Sequence, residues 1–589
     1  MRLGRPGRRL SIGFGAVCVL LLVVGVRLVQ LQGVGVSDYA SAATREHVRT
    51  EPLHAARGSI VDRNGVVLAY TADAKDVIAD PSLINCTYPD AVKDQCRPQT
   101  HLPLALQLSA LTGAATDKIL AALAANSRYA VIAQAIAPVQ AQQVDALKIN
   151  GLYVQPTTQR LYPGGTTASN IVGLIHSDGT GAAGIEAQFN RVLRGHDGTY
   201  TYDLTATGGV NPAGTSRRTA AVNGSTVQLT ISQDLQFVVQ QDLDAAVRKL
   251  RARSGNVVVL DVKTGQVLAL AGSETQKLDP TDPATWSGKA LSDTAIQVPY
   301  EPGSVNKVVT FSAALQRGII TPRSVLTVPD HLKINDVTIH DDWYHNPLHL
   351  TATGIIAESS NIGTLKIAQK VGPAAFMAFA KAYGIGQRTG IELPGESNGI
   401  LHPRSQWSSS TFANLPIGQG LMVTPLQLAS IYQTIANDGV RIPPRIVSEV
   451  TNPDGTVSAT KQPAGIRVTS VATARTMRTM LESVMLKGGT GAASALKGYR
   501  VAGKTGTAQQ IDPKTGHYSR SVYWDSFAGI VPADSPRFVV AVMINAPADG
   551  LFGAQTAAPL FHAIANYQVQ HAGILPSGSK SKFVPLQLK

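Results

Sequence analysis

The sequence predicts an α+β protein: one N-terminal transmembrane helix, then an elongated mixed α/β domain, then a larger α+β domain. Three observations carry this reading. An arginine-flanked apolar run opens the chain; a strand–turn–strand pattern near residue 60 gives way to helical spacing; and a strand, an amphipathic helix and two more strands fill residues 226–270. At 589 residues the chain exceeds one ordinary core, and 44% hydrophobic with 15% charged residues describes folded domains rather than a disordered or polytopic protein.

The apolar run extends from Leu10 to Val26 and continues past Arg27 to Leu31. That approaches the roughly 20 residues a bilayer requires. Arg2, Arg5, Arg8 and Arg9 hold the preceding end, residues 1–9, in the cytoplasm, which puts the remainder outside a cell membrane crossed once. The rival is a cleaved signal peptide ending near Ala40-Ser41-Ala42, a site far beyond the apolar run. The span is therefore set at 10–31, with a short helical stretch from Ser37 to Glu46.

The first folded domain is placed at 47–220. The run from Arg57 to Ala69 reads as strand, turn, strand around Asn64-Gly65, whose positive backbone dihedrals suit a tight hairpin. Residues 102–147, rich in Ala, Leu and Gln, read as helical. Cys86 and Cys96 flank a polar loop; they pair as a disulfide, which an oxidising compartment permits, or remain thiols. A second domain is placed at 223–573, with a strand over Thr226 to Ile231, a helix over Gln233 to Arg251, and strands around Lys263-Thr264-Gly265. Its last helix runs from Thr556 to Gln570. Residues 574–589, rich in Ser, Lys, Gly and Pro, read as a disordered tail.

A net charge of +13 raises nucleic acid as a partner, but the basic residues are scattered and no DNA- or RNA-binding motif accompanies them. An anionic membrane surface or lipid-linked substrate accounts for the charge equally well. No CxxC pair or His cluster suggests a metal, and no cofactor is expected.

Chemistry enters through three short patterns. Ser-x-x-Lys occurs at Ser304/Lys307, Ser458/Lys461, Ser494/Lys497, Ser577/Lys580 and Ser579/Lys582; Lys-Thr-Gly occurs at Lys263, Lys504 and Lys514; Ser-x-Asn occurs at Ser359-Ser360-Asn361 and inside the first motif at Ser304-Val305-Asn306. Setting separates them. Pro302-Gly303 stops what precedes, and an apolar helix then runs to about Gln316, so Ser304 sits at a helix start with Lys307 on the same face. A serine hydroxyl needs a neighbouring base, and a desolvated lysine can lose its proton and become one. Ser458 lies in a polar loop over 454–462, the matches at 577 and 579 lie in the tail, and Ser494 has no Ser-x-Asn following it. Lys263 occupies a turn and Lys514 a polar loop, whereas Lys504-Thr505-Gly506-Thr507 lies on a strand of small residues, where glycine marks close approach of a ligand to the backbone. One set survives in order: Ser304/Lys307, then Ser359/Asn361 55 residues on, then Lys504 145 further.

That trio is a recognised signature of active-site-serine acyl enzymes. With it, the chain resembles the class B, monofunctional penicillin-binding proteins over nearly its whole length. The resemblance also includes Arg57-Gly58-Ser59-Ile60, Asp62 to Gly65, Arg160 to Gly165, Gly184-Ile185-Glu186, Gly418-Gln419-Gly420, Thr424 to Gln427 and Ala557-Ala558-Pro559, all read as turns and packing. It implies a pedestal domain and a penicillin-binding transpeptidase domain, the latter a five-stranded antiparallel sheet flanked by helices plus an all-helical lobe. It further implies a peptidoglycan D,D-transpeptidase, anchored with its catalytic domain outside the membrane, that cross-links D-Ala-D-Ala stem peptides and binds β-lactams. Ser304 would be the nucleophile, Lys307 its base, Ser359 a proton relay, Asn361 a holder of Lys307 and substrate, and Lys504 a source of positive potential. Thr505, Gly506 and Thr507 would bind the substrate, with the backbone N–H groups of Ser304 and Thr507 as the oxyanion hole.

About 25 residues separate Leu31 from Arg57, too few for a glycosyltransferase domain, so an integral-membrane glycan polymerase is the implied partner, alongside other division or elongation proteins and the lipid-linked precursor. The Arg57 to Gly65 pattern leans towards division. Two alternatives use the same residues: a D,D-carboxypeptidase or β-lactamase-type hydrolase, and a non-catalytic envelope scaffold or β-lactam sensor.

Overall fold

The computed structural model describes residues 6–30, 48–84, 101–205, 210–274, 292–334 and 337–588. The stretch from Ser37 to Glu46, Cys86 and Cys96 lie outside the described residues. The chain divides into two compact units, Met1–Ala56 with Gly195–Gly224, and Arg57–Arg194 with Ser225–Lys589.

The first unit carries the helix Pro6–Val29, of which Leu10–Val29 is long and apolar enough to cross a membrane. It also carries a three-stranded antiparallel sheet of Val48–Leu53, Gly198–Asp203 and Ser216–Thr219, with the second strand central.

In the second unit Ile60–Val61 pairs with Val67–Ala79, but the turn between them is wider than a two-residue hairpin. Gly65 alone takes a positive φ, and the Asp62 carboxylate accepts from the N–H groups of Asn64 and Val66. The same Ile60–Val61 pairs in parallel with Val227–Gln228, and the sheet continues to Val447–Thr451 and Val457–Ala459. A boundary near 220 therefore does not coincide with a break between sheets. The 102–147 region is not all helix. Helices Leu102–Thr112, Thr116–Leu123 and Pro138–Asp145 surround a strand, Ala130–Ile136, that pairs with Val67–Ala79. Alanine-rich composition hides that strand; burial of Ile132, Ala133 and Ile136 against Val77, Leu108 and Ile119 selects it.

Five further strands form a sheet in the order Val267–Gly272, Ser254–Asp261, Phe538–Asn545, Tyr518–Val531, Ala502–Ile511, every pair antiparallel, as expected. Helices Gln233–Lys249 and Ala557–His571 pack on it and on each other, and the buried helix Pro425–Ala436 packs against its central strands. Thr424 and Gln427 close a reciprocal cap at the start of that last helix, each side chain accepting from the other's backbone N–H.

Residues 574–588 are not a disordered tail. The Ser577 N–H donates to Gly498 O at 2.9 Å, the Thr351 N–H to Leu586 O at 2.9 Å, and the Leu588 N–H to His349 O at 3.0 Å. The segment has no core of its own, which is why its composition reads as loose. Backbone groups elsewhere in the second unit supply its partners.

Three of the family-like pieces meet in one buried ion cluster. Glu186, fully buried, accepts from Arg57 Nε at 2.6 Å and from Arg160 Nε at 2.7 Å, and Arg57 also donates to Asn190 Oδ1 at 2.8 Å. Removing one partner from a buried ionic cluster costs about 3–5 kcal/mol, because the other charges lose their compensation. Glu186→Ala should therefore lower the thermal unfolding temperature sharply in a calorimetric scan, with Glu186→Gln intermediate.

Candidate active site

Ser304 lies in a 3-10 turn, Gly303–Asn306, that runs directly into the α-helix Lys307–Gln316. The turn is held by backbone contacts that leave no room for side chains. The Gly303 N–H donates to Gly418 O at 3.0 Å, and a Cβ on Gly418 would lie 2.0 Å from Gly303 O. Gly303 itself, at φ +62, sits where a Cβ would come 2.7 Å from Thr507 O. The Gly418–Gly420 loop is fixed in return by Glu301, which accepts from the Gly420 N–H at 2.8 Å and from the Tyr518 hydroxyl at 2.9 Å.

Lys307 is fully buried. Its amine donates to Ser359 O at 2.5 Å, to Asn361 Oδ1 at 2.7 Å and to Ser359 Oγ at 3.3 Å, and none of these bonds goes to Ser304 Oγ. Burial pulls its pKa down to about 8, against the opposing pull of Asp342 and Asp341. Ser359 ends the short helix Ala352–Ala357 in a left-handed conformation, φ +65, uncommon for a residue with a side chain.

Asp341 stabilises that turn, and sequence reasoning missed it. Its carboxylate accepts from the N–H groups of Asn361 at 2.5 Å and Ile362 at 3.0 Å, and from the Ser360 hydroxyl at 2.7 Å. It thus satisfies the otherwise unpaired N–H groups at the start of helix Asn361–Val371. His345 Nε2 lies 3.2 Å from the same carboxylate. Nothing in His340-Asp341-Asp342 marks this role, because its partners lie 19 to 21 residues away.

The strand Ala502–Ile511 brings Lys504 to the same place. Lys504 is fully buried, and its amine donates to Thr505 O at 3.1 Å and Thr505 Oγ1 at 3.2 Å. Burial first, and then the charge of Lys307, hold its pKa well below the usual lysine range, with Asp342 opposing. Thr505 Oγ1 shares a 2.7 Å hydrogen bond with Thr490 Oγ1, a second contact the sequence did not announce. At Gly506 other parts of the protein itself approach closely. A Cβ there would lie 2.7 Å from Pro302 O and 2.3 Å from Ser526 Oγ. Thr507 Oγ1 accepts from the Gly553 N–H at 3.1 Å and pairs across the strands with Asp525, whose carboxyl burial pushes up to about 7.

The competing motif copies stand elsewhere. Lys263 is exposed in its turn and donates to Asn437 Oδ1, and Lys514 is exposed in the turn capped by Asp512. Ser458 lies on an exposed strand, Val457–Ala459, rather than in a loop. The Ser494 hydroxyl is committed to Gly491 O at 2.6 Å.

A serine at the head of a helix, a buried amine three residues on and a second buried lysine on an edge strand agree with comparisons of the whole chain. A penicillin binding protein transpeptidase domain model matches residues 255–566, and a penicillin-binding protein dimerisation domain model matches residues 52–229. The chain is a class B penicillin-binding protein. It is 42% identical over 583 residues to penicillin-binding protein PbpB of Mycolicibacterium smegmatis, covering 95% of this chain and 89% of that one. It is 32% identical over 577 residues to peptidoglycan D,D-transpeptidase FtsI of Escherichia coli K12, covering 96% and 93%. Penicillin binding protein 3 from Mycobacterium tuberculosis, solved with aztreonam, superposes with a TM-score of 0.71 at 39% identity over 92% of this chain and 100% of that one.

Without Asp341 the Ser360–Ile362 N–H and O–H donors lose their common acceptor, so the Ser359 turn relaxes. A misplacement of this order costs about a hundredfold in rate. Asp341→Ala should slow acylation by a labelled penicillin to that extent while the protein stays folded by circular dichroism, and Asp341→Glu should not restore it.

Proposed function

We propose that this peptidoglycan D,D-transpeptidase works through Ser304 as nucleophile and Lys307 as general base. The supporting observation is the fully buried Lys307 amine, three residues after Ser304 and hydrogen-bonded to Ser359 and Asn361. Substrate entry turns this amine towards Ser304 Oγ, a contact of the kind that tightens only in the complex. Ser304 Oγ then attacks the carbonyl of the penultimate D-alanine of a stem peptide and an ester forms. The proton passes by way of Lys307 and Ser359 to the nitrogen of the departing D-alanine. The amine of a second stem peptide attacks the ester, the cross-link forms, and Ser304 regains its proton. The N–H groups of Ser304 and Thr507 receive the oxyanion.

Lys504 meets the substrate's terminal carboxylate together with Thr505 and Thr507. Among the described residues its amine has no anionic partner within hydrogen-bonding distance, and the carboxylate supplies the missing counter-charge. β-Lactams acylate the same serine. The N-terminal helix anchors the chain in the cytoplasmic membrane with residues 47–220 and 223–573 outside, facing lipid-linked precursor and a membrane-embedded glycan polymerase. The relatives named above support a place in cell division.

The base must be neutral to accept a proton. Below about 8 the Lys307 amine is mostly protonated, so the acylation rate should rise with pH through that value and then level off. A rate measured with labelled penicillin that is flat from pH 6 to pH 9 on the experiment's own scale, about three units wide, would remove Lys307 as the base. Mass spectrometry after β-lactam treatment should place the adduct on Ser304, and Ser304→Ala should abolish it. Lys504→Ala should cripple acylation, whereas Lys263→Ala and Lys514→Ala should leave it near wild type; equal losses in all three would overturn the assignment.

A further inference from the structure

The segment 574–588 lies beyond the residues matched by the transpeptidase family model, yet it is anchored at two places on the catalytic unit. Near its start, Ile574 O accepts from the Tyr499 hydroxyl at 2.6 Å, and Ser577 bonds Gly498 O and Asp534 Oδ1. Near its far end it reaches the short helix that presents Ser359.

There the fit is built from both sides. Leu586 O accepts from the Thr351 N–H at 2.9 Å, and Pro585 O accepts from the Thr351 hydroxyl at 2.8 Å; Thr351 is the N-cap of helix Ala352–Ala357. One turn on, Gly354 leaves a slot for the passing backbone, since a Cβ there would lie 2.0 Å from Leu586 O. At the helix's other end, Gln587 Nε2 donates to Glu358 Oε1 at 3.0 Å, and Glu358 is bonded in sequence to Ser359. Gln587 also makes a single antiparallel bridge to Leu350, beside the strand Leu348–Thr351.

A six-residue helix is too short to hold itself, and its last carbonyls depend on outside contacts. We propose that residues 585–588 are a positioning strap: by gripping Thr351, Gly354 and Glu358 they fix the helix whose end sets the Ser359 carbonyl against Lys307. The strap touches no reacting atom and acts through Ser359. This inference rests on the assignment of Ser359 and Lys307 to the catalytic machinery.

The test uses the full-length, detergent-solubilised protein and a variant lacking residues 585–589. Acylation by fluorescent penicillin is followed over a concentration series, separating the acylation rate constant from initial affinity. The strap predicts an acylation constant lowered about tenfold or more with initial affinity little changed. It also predicts recovery when a peptide of residues 583–589 is added in trans. Gly354→Val, which fills the slot, should show the same slow acylation and no response to the peptide. Wild-type acylation in the shortened variant would overturn the proposal. So would slow acylation that the peptide fails to restore, accompanied by a lowered unfolding temperature, since that marks general loss of fold. Labelling that persists in Ser304→Ala would instead overturn the underlying site assignment.

Discussion

The catalytic unit is organised around one constraint: an amine taken wholly out of water must be given partners, and those of Lys307 come from a segment more than fifty residues away. A buried ammonium without compensation is costly enough that the group sheds its proton instead. Here two oxygen acceptors on Ser359 and one on Asn361 offset part of that cost. The balance leaves the amine close to the neutral–charged boundary, where a base is useful. The strained Ser359 backbone, the Asp341 carboxylate behind it and the helix ahead of it all serve to hold that acceptor set in place.

The second organising feature is backbone crowding. Gly303, Gly418, Gly506 and Gly553 each stand where a Cβ would press on another segment's main chain within the same site. The serine turn, the Gly418–Gly420 loop and the edge strand are therefore locked by main chain rather than by interdigitated side chains. Gly303 and Gly506 of the motifs and Gly418 of the family-like pieces are accounted for in this way. They permit the close approach on which the positions of Ser304 and Thr507 depend, although none of them carries chemistry.

Much of this was legible in the sequence, for a physical reason. Residues whose role is local announce themselves: Pro302-Gly303 before an apolar helix, and Lys307 one turn after Ser304. The order of the motifs was enough to choose Lys504 over Lys263 and Lys514, and the structure puts the latter two in exposed turns. Features created by long-range contact were not legible. The strand Ala130–Ile136 is specified by its burial beside Val77, Asp341 by partners 19 to 21 residues further along the chain, and residues 574–588 by backbone acceptors and donors of other elements. Composition misled most where a segment contributes no core of its own.

The parallel pairing of Ile60–Val61 with Val227–Gln228 bears on how this protein can be taken apart. The strand Thr226–Leu229 has Val447–Thr451 on its other side, so it is an interior member of its sheet and not a rim. A recombinant fragment trimmed to the chemistry-bearing half would open a hydrogen-bonding edge flanked by Val227 and Leu229, both fully buried in the intact chain. Such an edge invites pairing with other copies. Soluble preparations for inhibitor screening or crystallisation are better severed just after the membrane helix than at the junction suggested by the motifs.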